Sequence, residues 1–457
     1  MKTQKYELDM CRGPLLGKIL IFAIPLMLSG ILQLLFNAAD MIVVGHANGP
    51  TSLAAVGATS SLINLLINLF MGLSVGANVL VAHFFAAGQE KDCKETVHTA
   101  ILVSMISGIF LAVVGFILAR PLLNLMGTPI DVIDKSVLYM RIFFLGMPVM
   151  LLYNFGSAIL RAVGDTKRPL LFLSLSGVLN VLLNLIFVIV FDMDVAGVAL
   201  ATVISQGLSA LLIVRCLMKT EGYCKLNLKD LAIDKDKLLK MIRIGLPAGL
   251  QGSIFSISNV LIQSSINSFG SVAMAGNTAC SNLEGFVYNA MNAIYQTALT
   301  FTSQNLGGKQ YKRINKVIVL NVVLVTLVGV VMGFFVILFG EPLLGLYTSE
   351  QEAIGYGLIR MKIIFSTYFL CGIMDVLVGC LRGLGRSILP MIVSLLGACG
   401  LRVVWIFTIF KAYPALETIY ISYPISWTLT AGVHLICLLC IMHKLHSRGG
   451  DFVANVT

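Results

Sequence analysis

Charged residues are scarce in this sequence of 457 residues, since Asp, Glu, Lys and Arg together make up only 12% of it. Soluble domains carry about 25% charged residues, because a water-exposed surface needs them. Apolar residues instead reach 58%, and the mean hydropathy is +0.92. This composition argues against a soluble enzyme, a disordered scaffold and a disulfide-rich secreted protein. It is typical of a polytopic membrane protein with an all-α fold.

Metal, redox and targeting motifs are also lacking. The six His show no ligand spacing, and the ten Cys are scattered. Cys437 and Cys440 form a C-x-x-C inside an apolar run, where core packing is the expected role, because a redox or zinc site needs exposed thiols and further ligands. No cleavable signal peptide is evident. We expect no cofactor and no resident metal.

Twelve apolar segments are long enough to cross a bilayer, which takes about 20 residues each. The polar stretches between them predict a leader at 1–14, an N-terminal lobe at 15–218, a linker at 219–238, a C-terminal lobe at 239–442 and a tail at 443–457. The spans are placed at 15–36, 53–85, 97–119, 137–159, 170–190, 196–217, 241–267, 273–303, 316–339, 354–380, 388–410 and 419–442.

The basic residues are distributed very unevenly around these spans. One side of the membrane receives 25 Lys and Arg, counting both termini, and the opposite loops receive three. Because Lys and Arg concentrate in cytoplasmic loops, both termini are predicted to be cytoplasmic, in a plasma (inner) membrane. The net charge of +10 therefore reflects topology and requires no nucleic-acid partner.

The two halves of the chain resemble each other. RPLLNL at 120–125 returns as EPLLGL at 341–346, and LRAVGD at 160–165 returns as LRGLGR at 381–386, with the same separation along the chain in both cases. AIP at 23–25 returns as GLP at 245–247 with nearly the same separation. Two copies of six spans keep the same orientation, which predicts two parallel six-helix repeats, an arrangement found in secondary transporters.

Polar residues inside the spans of the first repeat are the strongest site candidates, because a charge in hydrocarbon costs about 2.5–3.5 kcal/mol or more. Asp40 lies on one helix face with Gln33 and Asn37. The fifth span carries the pair Asn180 and Asn184, and the sixth carries the pair Thr202 and Gln206. The predicted ion-coupling set is Asp40, Asn180, Asn184 and Thr202, and Gln33, Asn37, Asn154 and Gln206 are predicted to contact substrate or to assist coupling.

The second repeat carries its acids elsewhere. The position that matches Asp40 is Ile262, and the intramembrane acids are Glu284 and Asp375. Glu284 and Tyr288 share a helix face. Glu284, Tyr288 and Asp375 are predicted to contact substrate or to serve as a secondary coupling site, although Asn, Gln and Thr in such spans also simply bond helices together.

A buried carboxyl among amides offers a clear means of coupling. Desolvation favours its neutral form, so the group can take a proton on one side of the membrane and release it on the other. Asp40, Asn180, Asn184 and Thr202 equally offer oxygens to a sodium ion. The coupling ion predicted from the sequence is therefore H⁺ or Na⁺.

From about Leu15 to His443, the chain resembles the MATE (multidrug and toxic compound extrusion) transporters of the MOP flippase superfamily. The resemblance rests on PLMLSG at 25–30, DMIVVG at 40–45, SQNLGG at 303–308 and LRGLG at 381–385. It implies two six-helix bundles around a V-shaped cleft, and export of lipophilic, often cationic compounds by antiport. Asp40, Asn180 and Thr202 match the DinF-like branch, whereas Asn184 stands where that branch often has a second acid.

Other functions stay open at this stage. A lipid-linked saccharide flippase of the same superfamily is the nearest alternative, although intramembrane acids suit cationic cargo better. A polytopic membrane enzyme would need paired Asp motifs, a Ser/His dyad or metal ligands, and a channel would need a pore loop; the sequence shows none of these. We therefore expect a non-enzymatic, monomeric transporter whose partners are small drug or metabolite molecules and membrane lipids.

Overall fold

The structure is a computed structural model that describes residues 6–48 and 50–448, and within those ranges it contains helices and no strands. The first repeat contains α1 (Leu15–Asn48), α2 (Pro50–Ala86), α3 (Glu90–Leu125), α4 (Ile130–Leu145), α5 (Met147–Ala162), α6 (Lys167–Asn184) and α7 (Asp194–Lys219). The second contains α8 (Lys235–Asn267), α9 (Ser271–Gly307), α10 (Tyr311–Leu338), α11 (Gly340–Gly345), α12 (Gln351–Phe365), α13 (Tyr368–Gly383), α14 (Ile388–Ser394), α15 (Leu401–Trp405) and α16 (Leu416–Arg448).

Every predicted span coincides with a helical stretch, but not every stretch is equally apolar. Among the described residues, eight helices are long and apolar enough to cross a membrane, and ten are if each bent pair counts as one span. The pairs α4–α5 and α12–α13 bend by 49° and 47°. The other two predicted spans correspond to α8 and α9, which are 33 and 37 residues long but rich in Ser, Asn and Gln.

Contacts divide the chain into two compact units, and two of the three boundaries between them fall inside helices. The first unit comprises Met1–Asp9 and Leu28–Gly249, and the second comprises Met10–Met27 and Leu250–Thr457. The boundaries in α1 and α8 fall at equivalent positions of the two repeats, since each lies just after a proline, Pro25 in α1 and Pro247 in α8. The division into an N-terminal and a C-terminal lobe at the linker, which is drawn from hydropathy, stays a prediction.

Within the first unit, α2 and the beginning of α8 approach each other closely through glycines. A Cβ on Gly72 would lie 2.2 Å from the backbone nitrogen of Gly249, and a Cβ on Gly76 would lie 2.4 Å from the carbonyl oxygen of Met241. Gly245 in turn faces the backbone of residues 72 and 73. Small residues four apart on facing helices permit this backbone contact, as in other membrane helix pairs.

Within the second unit, the end of the leader is fixed to α10. Arg313 donates hydrogen bonds to the carbonyl oxygens of Met10, Arg12 and Gly13 at 2.9–3.0 Å. Phe22 of α1 packs edge-to-face on Phe301 of α9 with ring centroids 5.6 Å apart. These contacts explain why the first part of α1 belongs to the second unit.

Three stretches of the fifth and eleventh spans are π-helical. Leu185–Val190 continues α6, whereas Leu395–Gly400 and Ile406–Phe410 lie on either side of the short helix α15. A π-helical turn inserts an extra residue into the helix and is frequent at functional sites. The eleventh span therefore has the more irregular backbone of the two.

Candidate functional site

Four predicted residues of the first unit meet in one hydrogen-bonded cluster, which we call the Asp40 cluster: Asp40, Asn180, Asn184 and Thr202. Asn184 donates from Nδ2 to Oδ1 of Asp40. The Thr202 hydroxyl oxygen lies 3.4 Å from Oδ2 of Asp40 and 3.0 Å from the carbonyl oxygen of Val198. Both carboxylate oxygens of Asp40 therefore have a polar neighbour.

Asn180 joins the two residues that contact Asp40, which are Asn184 and Thr202. Its Nδ2 lies 3.4 Å from the Thr202 hydroxyl oxygen, and its Oδ1 accepts from Asn184 at 3.3 Å. Asn180 and Asn184 are one helical turn apart on α6, which places both amides on the face that meets α1 and α7. Asn184 is fully buried, and its Oδ1 has no hydrogen-bond partner.

The unpartnered oxygen of Asn184 defines what the cluster can bind. A buried amide oxygen beside a carboxylate can accept a hydrogen bond from a protonated acid or coordinate a cation. The cluster holds one carboxylate, so its charge matches a single proton or one monovalent cation. Among the described residues, no group of three or more His, Cys, Asp or Glu side chains gathers into a metal site.

The other four polar residues predicted in the first unit are not joined to the Asp40 cluster. Gln33 and Asn37 lie on α1 with exposed side chains. Asn154 donates from Nδ2 to the carbonyl oxygen of Met150, one turn earlier in α5, at 2.8 Å. The buried Oε1 of Gln206 has no hydrogen-bond partner. Their predicted substrate contacts stay predictions.

In the second unit, Glu284 is paired with an arginine. Arg360 of α12 donates from Nε to Oε1 of Glu284 at 2.6 Å and from Nη2 to Oε2 at 2.9 Å. Its third nitrogen, Nη1, donates to Oδ1 of Asn277. Tyr420 completes the network, with its hydroxyl 3.3 Å from the same Asn277 oxygen. The charge of Glu284 is thus neutralised inside the unit.

Asp375 lies in a different environment from Glu284. It belongs to α13 and interacts electrostatically with Arg382, two turns further along the same helix. Arg382 itself is held by Tyr295 and by Gln251, at 2.8 and 2.9 Å. Tyr288, which is 40% exposed, interacts electrostatically with Asp375. Asp375 and Tyr288 are therefore neighbours, and Glu284 belongs to the separate arginine network.

Sequence reasoning missed Arg360, Asn277 and Tyr420. The position of Arg360 in its span suggests a place near a helix end, whereas the residue is 5% exposed and lies between α9 and α16. The sequence does contain a signal for the Glu284–Arg360 pair, because an acid and an arginine that both lie inside spans are expected to form an ion pair. The sequence does not show which of several basic residues faces which acid.

Two repeats of six spans, with a polar cluster enclosed among the helices of one repeat, define a membrane transporter of the repeat-built class. The MatE family model matches residues 25–186 and again residues 247–408. The chain therefore belongs to the MatE family, as the resemblance of its motifs to MATE transporters implied. The two matched segments are equally long and begin at Pro25 and Pro247, which confirms the predicted repeat.

Named relatives resemble the chain over most of their length. The probable multidrug resistance protein YoeA of Bacillus subtilis (strain 168) is 29% identical, with 90% of each chain covered. The probable multidrug resistance protein YpnP of the same organism is 27% identical and covers 86% of this chain and 88% of its own. A MOP superfamily transporter from Pyrococcus furiosus Vc1 (DSM3638) matches with a TM-score of 0.91 at 23% identity, covering 98% of this chain and all of its own. The twelve-helix fold predicted from the sequence is confirmed by this similarity.

Proposed function

We propose that the protein exports lipophilic, cationic small molecules in exchange for protons or sodium ions that bind at Asp40. Membership of the MatE family and the names of the multidrug resistance relatives support export of small molecules. The observation that carries the coupling proposal is the Asp40 cluster, in which Asn184 and Thr202 hold a carboxylate inside a span. Alternating access between the two repeats would expose this carboxylate to each side in turn.

The composition of the cluster favours the proton over sodium. Only one carboxylate is present, and Asn184 directs its Nδ2 donor, not its oxygen, at Asp40. A sodium ion at this place would meet fewer anionic oxygens than a pair of acids supplies. A proton needs only one oxygen of Asp40, and a proton that moves inward through 100 mV releases about 2.3 kcal/mol.

The orientation and location follow from the basic loops. We propose a plasma (inner) membrane location with both termini in the cytoplasm, because 25 basic residues lie on one predicted side and three on the other. The proposed oligomeric state is a monomer. In this orientation the driving ion moves inward as cargo leaves. No enzymatic step and no cofactor enter the proposal.

The test is export of ethidium, a permanently charged cation, from proteoliposomes with a proton gradient and a sodium gradient imposed separately. Wild-type protein is expected to move the dye under the proton gradient, and Asp40→Asn is expected to abolish that movement, because the amide cannot exchange a proton. Asp134→Asn, which makes the same change at an exposed ion pair with Arg120 outside the cluster, is the control. Absence of dye movement under both gradients would refute transport, and normal export by Asp40→Asn would remove Asp40 from coupling.

A further inference from the structure

Among the side chains that the structure describes, three arginines are buried in the second unit, and they differ in how their guanidinium groups are satisfied. Arg360 is paired with Glu284 and Asn277, and Arg382 donates from its Nη atoms to Tyr295 and Gln251. Arg402, which is 3% exposed, donates from Nε to the hydroxyl of Ser426 at 2.8 Å. Its Nη2 is buried and has no hydrogen-bond partner.

The charge of Arg402 is not matched by an acid in the part of the second unit that the structure describes. None of the ion pairs found between described residues includes this side chain, whereas Arg360, in the same unit, has a bidentate carboxylate. A buried guanidinium without an anion is costly, because its charge has lost the hydration of water. An anion that reached Arg402 during transport would remove this cost.

Aromatic rings hold Arg402 in place without neutralising it. The guanidinium carbon lies 4.1 Å from the ring centroid of Tyr423 and 5.5 Å from that of Trp427. Rings in this position attract a cation through their quadrupole and carry no net charge. Together with Ser426 they fix the plane and the Nε edge of the guanidinium, and they leave the Nη edge for a further acceptor.

The repeat relates Arg402 to the Asp40 cluster. The two family-model matches align residue 25 with residue 247, and in this alignment Arg402 is the counterpart of Asn180 and Ile262 is the counterpart of Asp40. Where the first repeat has the acid and an amide of this cluster, the second repeat has an isoleucine and a cation. Arg402 also lies between the π-helical segments Leu395–Gly400 and Ile406–Phe410, and π-helical turns are frequent at functional sites.

From these observations we infer that Arg402 forms a binding subsite for an oxyanion, a carboxylate or phosphate group, carried by the transported molecule. The inference rests on the proposed transport function and deepens it. The substrate class then includes molecules that carry an acidic group on a lipophilic body, in addition to plain cations. The Nη edge of Arg402 donates to the acid, because a guanidinium edge matches the geometry of a carboxylate or phosphate.

The test compares tetramethylrhodamine, which has a free carboxylate, with its methyl ester, which does not. The chain has two tryptophans, so Trp405→Phe leaves Trp427 as the single fluorescent reporter beside Arg402. Quenching of Trp427 by each dye then gives two dissociation constants in detergent. The acid is expected to bind about tenfold more tightly than the ester, the effect of one charge-assisted hydrogen bond.

Arg402→Gln in this background is expected to bring the two constants within twofold of each other, and Arg402→Lys is expected to retain part of the preference. Lys411→Gln, which removes an exposed cation near the end of the same span, is the charge-matched control and should change nothing. The inference is overturned if the ester binds as tightly as the acid before Arg402 is changed. It is also overturned if Arg402→Gln leaves the preference intact.

Two further measurements complete the test. One distinguishes an anion on the cargo from an anion on a lipid headgroup, and the other distinguishes failure of the subsite from failure of the transport proposal. Loss of the acid's preference on addition of phosphatidylglycerol would assign Arg402 to a lipid headgroup and overturn the assignment to cargo. Ethidium export that depends on Asp40, measured in vesicles of the same preparation, tests the proposed function independently. A preference for the acid without any ethidium export would refute the transport mechanism while supporting the subsite.

Discussion

Arg360 binds both carboxylate oxygens of Glu284, with Nε 2.6 Å from Oε1 and Nη2 2.9 Å from Oε2. The pair joins α12 to α9 inside the second unit, and both side chains are largely buried. An acid neutralised in this way differs from Asp40, whose neighbours are the uncharged Asn184 and Thr202. These two intramembrane acids therefore lie in different environments, since the charge of Glu284 is matched by an arginine and the described neighbours of Asp40 are uncharged.

The Glu284–Arg360 pair predicts an asymmetric stability effect. Glu284→Gln alone is expected to destabilise the protein by about 3–5 kcal/mol, because it leaves the Arg360 charge buried without an anion. Glu284→Gln combined with Arg360→Met is expected to recover most of that loss. Thermal unfolding in detergent measures both. Asp134→Asn, which breaks the exposed pair with Arg120, is the control and should change stability by about 1 kcal/mol or less.

A second prediction concerns the choice of coupling ion. Asn184→Asp supplies the second carboxylate that the Asp40 cluster lacks, so sodium-driven ethidium export is expected to rise relative to proton-driven export. Asn64→Asp adds an acid at an exposed position of α2, in the same unit but outside the cluster, and is expected to leave the ratio of the two rates unchanged. Equal responses of the two variants would show that the added charge, and not its place beside Asp40, determines the ion.

A third prediction tests the glycine contact between α2 and α8. Gly249→Val is expected to destabilise the protein by about 1–3 kcal/mol, the usual cost of overpacking, because even a Cβ at this position would lie 2.3 Å from the carbonyl oxygen of Leu69. Gly207→Val is the control, since nothing lies within 4 Å of a Cβ built there. Unfolding temperatures in detergent that fall equally for both variants would contradict the packing account.

A fourth prediction concerns topology. Thr128→Cys, between α3 and α4, is expected to react with a membrane-impermeant maleimide in intact cells. Lys229→Cys, in the linker, is expected to react only after the cells are opened, because the linker side carries most of the basic residues. The parent protein, with its own ten cysteines, provides the background. Labelling in the opposite order would reverse the proposed orientation.

Much of the fold and part of the site could be predicted from the sequence, and the reason differs for each. Spans are visible because the bilayer imposes length and apolarity, and the repeat is visible because motifs return at a nearly constant offset. Asn180 and Asn184 could be grouped because their spacing places them on one helix face. Asp40 and Thr202 could be added to this group because a carboxylate inside a span needs polar neighbours.

The rest of the site and fold could not be predicted, because it depends on which helices face each other. The hydropathy pattern carries no information about that. Gln33 and Asn37 satisfy the same spacing rule as Asn180, yet their side chains are exposed and lie outside the cluster. The pairing of Glu284 with Arg360 joins residues 76 positions apart, and no local pattern encodes it. The division of α1 between the two units likewise follows from tertiary contacts such as that of Phe22 with Phe301.

The central claim is that cargo and a driving ion exchange through Asp40, and ion flux induced by cargo measures this most directly. Proteoliposomes loaded with a fluorescent pH indicator receive external ethidium with no ion gradient imposed. The account predicts proton movement opposite to the dye in wild-type protein and in Asp134→Asn, and no proton movement in Asp40→Asn. Dye-induced proton flux of undiminished rate in Asp40→Asn would contradict it.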